Sequence, residues 1–179
     1  MVQGLFRQAR AHRQALLALS VAGLLVASVV VAQAAAPGEP ISQIEQELVD
    51  AVNAEREKHG LQPLIVNYSL MEAAYRHNEH MADVQKLAHE GIGDGDVRSR
   101  VMATGYQIYM GLVGENVAWG QRSVAKVMDD WMNSPGHRAN ILKREYTDIG
   151  VAFTTRNGGP WWTQVFATPV PPPTYVTVT

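Results

Sequence analysis

Three side chains in this sequence have the types and setting for site chemistry. They are His89 in Leu87-Ala88-His89-Glu90-Gly91, Glu115 in Gly114-Glu115-Asn116-Val117-Ala118, and His137 in the run Trp131 to Leu142, WMNSPGHRANIL. Histidine and carboxylate are the pair most often joined for proton transfer or metal binding. Each of the three reads as a loop or element-end position, where site residues gather. Two imidazoles and a carboxylate can hold a divalent metal, zinc foremost, and leave one position open to water. The same groups can also form a metal-free acid/base pair. A chain of this size assembles some such trios by chance, so spacing alone leaves all three readings standing.

The other candidates are weaker. Asp130 lies one turn before Ser134 and can face the same cavity; Asp129 points elsewhere, and a solvated acidic pair is the plain reading. His77 and His80 share a helix face but lack the HExxH arrangement of zinc hydrolases. They read as a hydrogen-bonded core histidine and a surface one. Asp94 and Asp96, interleaved with glycine, lack the rest of a calcium loop and read as a turn. Asn53 and Arg56 sit three apart on one helix, with Arg56 either drawn inward or left at the surface. Ser134 precedes a proline at a helix end, and no serine stands in a GxSxG elbow. With no cysteine there is no thiol chemistry, and no glycine loop is built to cradle phosphates.

The elements that must position these groups follow from caps and periodicity. Ser42-x-x-Glu45 is a capping box, followed by apolar residues at helical spacing to about Lys58, with Gly60 as the stop. A second box, Ser69-x-x-Glu72, opens a helix whose stripe is Leu70, Ala73, Ala74, Met81 and Val84, with His77 on it. Asp96 caps a short helix through Met102, ended by Gly105-Tyr106. Ser123 caps another with inner face Val124, Val127, Met128 and Trp131, broken at Pro135-Gly136. Ile149–Thr154 and Trp161–Phe166 change to a strand pattern around Arg156-Asn157-Gly158-Gly159, a hairpin signal. Helices followed by a terminal hairpin point to an α+β domain with helices packed on a sheet.

Composition sets the address. Residues 1–36 carry Arg7, Arg10 and Arg13, no acid, an apolar run from Ala15 to Val31, and the small-x-small site Ala32-Gln33-Ala34. That is the pattern of a secretory signal peptide, with an uncleaved anchor as the alternative. Residues 37–40 form a linker, 41–168 one domain, and 169–179 a proline-rich extended tail. Without residues 1–36 the balance is 12 basic against 17 acidic residues, a net charge of −5. That argues against nucleic acid as a partner, since phosphate binding needs clustered Lys and Arg. An exported chain without cysteine must rely on one buried core.

Together these residues resemble the CAP superfamily, the sperm-coating-protein-like domain of cysteine-rich secretory, antigen-five and pathogenesis-related proteins, in its bacterial branch. The resemblance runs from about Ile44 to Thr168. It rests on Asn53-x-x-Arg56, His89, Gly114-Glu115-Asn116-Val117-Ala118, Trp131 to Leu142 with Arg138 and Asn140, Ile149-Gly150-Val151, and Trp162-Thr163-Gln164. It implies a three-layer α-β-α sandwich with helices flanking a small, mainly antiparallel sheet and a central cavity. In the eukaryotic branch that cavity is lined by two histidines and two acids and can hold a divalent metal. His89 and Glu115 match the first histidine and first acid. Ser134 and Trp161 stand where the family has its second acid and second histidine. His137, and with it Asp130, is then expected to complete the cavity from other points. Asn53, Arg56, Asn116, Trp131, Arg138, Asn140 and Gln164 are expected to be structural.

The family has no settled common reaction, and fold does not fix chemistry. The leading expectation is an exported, monomeric domain, secreted or held at the cell surface. It would bind a metal ion or a small or lipidic ligand at His89, Glu115 and His137. A membrane would be met only through an uncleaved N-terminal segment. The alternatives are a metal-assisted hydrolase of peptide or cell-wall material with Glu115 as base, and a structural or partner-binding module without cavity chemistry.

Overall fold

The computed structural model describes residues 41–91 and 93–171. The expected leader (1–36), the linker (37–40) and most of the tail lie outside the described residues. Among the described residues nine elements follow one another: α1 (Gln43–Lys58), β1 (Ile65–Val66), α2 (Tyr68–Val84), α3 (Val97–Ala103), β2 (Ile108–Trp119), α4 (Val124–Asn133), α5 (Pro135–Ile141), β3 (Asp148–Thr154) and β4 (Trp161–Pro169). The four strands form one sheet in the order β1-β3-β4-β2. β1 pairs parallel to β3, and the other two pairings are antiparallel.

Strand alternation sends side chains to two helical layers. From β3 and β4, Ile149, Val151, Phe153, Trp162 and Phe166 pack against Leu48 and Val49 of α1, Val124, Val127, Met128 and Trp131 of α4, and Ile141 of α5. The opposite face sends Ala152, Val165 and Ala167 against Leu70, Ala73 and Ala74 of α2 and Val101 of α3. This is the α-β-α sandwich that the resemblance implies. Each fully buried large apolar side chain contributes about 1.5–3 kcal/mol, which substitutes for cross-links in a chain without cysteine. At Gly150, any Cβ would overlap the backbone of Leu70 and Met71, so glycine lets α2 lie directly on β3.

The helix ends agree with the sequence in all but one case. Ser42 and Glu45 form the capping box of α1, and Asp96 and Ser123 cap α3 and α4. For α2 the cap is Asn67, whose side-chain oxygen accepts from the backbone N–H of Ser69 (3.0 Å) and Leu70 (3.4 Å). Ser69 is therefore inside the helix, and Glu72 pairs with Arg76 instead of closing a box. Asn67 wins because its amide also donates to Asp148 (3.1 Å), tying the cap to β3. Val84, expected on the inner stripe, is half-exposed in the last turn of α2.

Two strands were not legible in the sequence. β1 has only two residues. β2 is the longest strand, yet it holds two glycines and a bulge between Ile108 and Val113, where Met110 and Gly111 take positive φ. That break in alternation hides it. Glu115 is consequently a mid-strand residue, not a loop or element-end residue as the sequence reading has it.

Candidate functional site

The site is built on β2, at the edge of the sheet. Glu115 and Val117 face the α2/α3 layer, whereas Asn116 and Ala118 face α4 and α5. Glu115 is buried, and both its carboxylate oxygens are engaged. Oε2 accepts from Nη2 of Arg100 on α3 at 2.6 Å. Oε1 accepts from Nδ1 of His89 at 3.0 Å and lies 3.7 Å from Nε2 of His77 on α2. A carboxylate only accepts, so Nδ1 of His89 carries the hydrogen and Nε2 is left for other partners.

Below this pair runs a second polar layer. His77 is fully buried; its Nε2 donates to the Ala88 carbonyl (2.8 Å) and its Nδ1 meets Oδ2 of Asp94 (2.5 Å). Arg100 donates to the carbonyls of Gly95 (2.5 Å) and His89 (3.2 Å), and its Nη1 lies 3.6 Å from Asp94. Side chains from α2, α3 and β2 therefore pin the segment between α2 and α3 and hold His89 over Glu115. The sequence reading of His77 as a core histidine stands, and His80 is half-buried beside it. Asp94, read as a turn residue, is in fact an internal partner of His77 and Arg100. Arg100 was missed: a lone arginine on a short helix carries no local signal, and only the fold brings it within reach of a residue 15 positions away.

His137 enters from the first turns of α5. Its carbonyl accepts from the Asn116 side chain at 3.1 Å, and its ring lies 6.5 Å from that of Trp131. Asn140 donates to the Glu115 carbonyl (3.0 Å) and to Asn116 Oδ1 (2.9 Å), so α5 is fastened to β2 at residues 115 and 116. Gly114 makes this possible, since a Cβ there would collide with the Tyr146 hydroxyl and Asn140. The Glu115 hydrogen bond raises the pKa of His89 above its usual value, despite partial burial and the nearby Arg100. Burial, and then the charge of His89, lower that of His137.

Asp130 does not join them. Its carboxylate binds Lys126 on its own helix and accepts from Gln121 at 3.1 Å. The expected structural residues take these positions. Arg56 is buried and donates to the carbonyls of Gln62 (2.8 Å), Ile141 (2.8 Å), Lys143 (2.9 Å) and Tyr146 (3.3 Å), so the inward reading holds. Asn53 clamps Leu64 through both its amide atoms. Gln164 accepts from Asn116 (3.1 Å), and Trp131 is buried with its indole N–H toward the Val117 carbonyl. Arg138 meets His59 at the surface. A groove of about 400 Å³ lies elsewhere, between α1 and α4, lined among others by Ala51, Ala54, Met128 and Met132.

The residues as arranged do not fit a metal held by His89, Glu115 and His137. A cation on Glu115 would share a carboxylate already bound to His89 and Arg100, and it would sit beside a guanidinium. Among the described residues, no group of three or more His, Asp or Glu is arranged to hold a metal ion.

The family model of the cysteine-rich secretory proteins, CAP, matches residues 49–166. The chain is 36% identical over 126 residues to the uncharacterised protein YkwD of Bacillus subtilis, covering 70% of this chain and 48% of that one. It is 30% identical over 122 residues to the uncharacterised membrane protein YlbC of the same organism, covering 68% and 34%. The chain thus spans about half the length of one curated relative and a third of the other. Among solved structures, it resembles an extracellular protein with an SCP domain from Bacillus anthracis, at 27% identity and a TM-score of 0.63, covering 69% of this chain and 39% of that one. It shares its fold with an outer surface protein of Borrelia burgdorferi, at 19% identity and a TM-score of 0.61, covering 70% and 92%.

Proposed function

Because the chain belongs to the cysteine-rich secretory protein (CAP) family, in its bacterial branch, we propose that it is an exported ligand-binding domain whose ligand meets the imidazoles of His89 and His137. Glu115 acts as the buried group that orients His89. One observation carries this reading: both oxygens of Glu115 are engaged, by Arg100 and by His89, while the His89 side chain is 57% exposed above them. The extracytoplasmic address is supported by residues 1–36 and by structural relatives described as an extracellular and an outer surface protein.

A fragment screen read by NMR tests the site. Fragments that move the His89 ring signals should move those of His137 as well. Fragments that move only the methyl signals of Met128 and Met132 would place the ligand in the α1/α4 groove and overturn the reading.

The His89–Glu115 bond favours a second, hydrolytic reading. An imidazole held by a carboxylate at Nδ1 leaves Nε2 to take a proton from water, which shifts the role of base from Glu115 to His89. A peptide and peptidoglycan panel cleaved by the protein but not by His89→Gln would promote it. Complete inactivity of the folded protein would retire it.

A further inference from the structure

Two indoles close on the turn between β3 and β4. Trp161, the first residue of β4, is buried and donates from Nε1 to the Arg156 carbonyl at 3.0 Å. Gly159 allows this, since a Cβ there would overlap the Trp161 ring and the Thr154 carbonyl. Trp119, the last residue of β2, pairs with Trp161 across the strands and donates from Nε1 to the Gly158 carbonyl at 3.1 Å. The two rings lie 5.7 Å apart at 40°. Gln85, which follows α2, donates to the Asn157 carbonyl at 3.2 Å. Asp83 of α2 accepts from Asn157 (3.2 Å) and Arg156 (2.8 Å). The turn is thereby fixed by α2, β2 and β4 together, yet Trp119 stays 52% exposed. A ring held along one edge, backed by a second ring and left half-open to solvent is preorganised to meet a ligand.

We propose that Trp119 is the platform of an oligosaccharide-binding site at the β3–β4 turn. The proposal does not rest on the reading of His89 and His137 as a ligand site. The face of an aromatic ring is electronegative and attracts weakly polarised C–H groups. A β-linked hexopyranose with equatorial hydroxyls carries C–H groups on the flat of its ring and hydroxyls around its rim. Its flat side therefore suits an indole, and its rim needs hydrogen-bond partners close by. The Asp83 carboxylate and the Asn157 amide supply them, and both are already held in place by their bond to each other. A carboxylate has about four acceptor sites, and the Asp83 side chain is 55% exposed, so it can take a hydroxyl as well. The charges favour a neutral ligand. Arg156, the cation of the turn, is paired with both Glu79 and Asp83 and is not left open to a phosphate or an anionic lipid surface. One aromatic face with a few fixed polar groups beside it is the composition of a small-ligand site.

The test uses the full chain in a polyoxyethylene detergent, which carries no sugar, and follows the indole N–H signals by NMR. The probes are cellotetraose, mannotetraose and N-acetylchitotetraose, all β-linked. At least one should shift the Trp119 signal saturably at millimolar concentration, shift Trp161 less, and leave Trp131 and Trp162 in place. Trp119→Ala should weaken that binding roughly tenfold or more, read from the backbone amides of Asn157 and Gly158. Trp119→Tyr keeps an aromatic face and should retain most of the affinity. Because Trp119 is half-exposed at the end of a strand, both variants should keep the amide spectrum of the folded chain. If none of the three sugars shifts the Trp119 signal, the proposal is overturned. A sugar that binds Trp119→Ala as tightly as wild type overturns it too. So does a Trp119 signal that responds to protein dilution and to no sugar, which would make this face a contact between copies of the chain.

Discussion

Arg100 and Glu115 form a buried ion pair at 2.6 Å between a seven-residue helix and the middle of an edge strand. The pair decides the character of the site. It neutralises the carboxylate, leaves Oε1 to orient His89, and ties α3 and the α2–α3 segment to the sheet. A buried pair of this kind adds little over apolar substitutes, but removal of one partner strands the other charge.

That asymmetry gives the first prediction. Arg100→Met should destabilise the fold by about 3–5 kcal/mol in urea denaturation, because Glu115 is left buried without its cation. The double variant Arg100→Met with Glu115→Leu should recover a substantial part of that loss. Equal stability of the single variant and wild type would show that the pair is not closed in solution.

The histidines make opposite contributions to stability as pH changes. The folded-state pKa of His89 is raised, so its contribution is complete below the unfolded value of about 6.5 and is lost as pH rises through the higher folded value. For His137 the folded pKa is lowered, so stability is lost as pH falls through about 6.5 and on through the lower folded value. Denaturant midpoints should therefore rise from about pH 5 to about pH 8 for His89→Gln relative to wild type. They should fall over the same range for His137→Gln relative to wild type. The reverse ordering would contradict both assignments.

Backbone contact between α2 and β3 predicts a sharp contrast between two glycines. Gly150→Ala forces a methyl into the backbone of Leu70 and Met71, and should cost about 3 kcal/mol, read as a lower thermal midpoint. Gly136→Ala meets nothing within 4 Å and lies in α5, so it should change stability by less than about 1 kcal/mol.

The cap of α2 is equally testable. Asn67→Ala should cost about 1 kcal/mol or more, since it removes both the cap and the bond to Asp148. Ser69→Ala should stay within about 0.5 kcal/mol. Comparable losses would restore Ser69 as the cap.

These corrections show where sequence is informative. Ser42, Asp96 and Ser123 cap helices through bonds to residues three positions on, so local spacing exposes them. Asn67 outcompetes Ser69 through Asp148, 81 residues away, and no window around residue 67 contains that fact. Likewise, His89 and Glu115 were legible as a pair of chemical types. Their partner Arg100 was not, because its meaning arises only when α3 folds across β2. The four carbonyls held by Arg56 come from Gln62 and from Ile141, Lys143 and Tyr146, so its inward position was open until the fold closed. The strand β2 was hidden by its own bulge, and with it the mid-strand position of Glu115.

The central claim is that Glu115 orients His89 rather than binding the ligand itself. The most direct measurement is the protonation pattern of the His89 ring, by nitrogen-detected correlation in wild type and Glu115→Gln. The structure predicts that neutral His89 carries its proton on Nδ1, with a pKa above that of His137, and that Glu115→Gln lowers this pKa toward about 6.5. A neutral His89 protonated at Nε2, with a pKa unmoved by Glu115→Gln, would contradict the account.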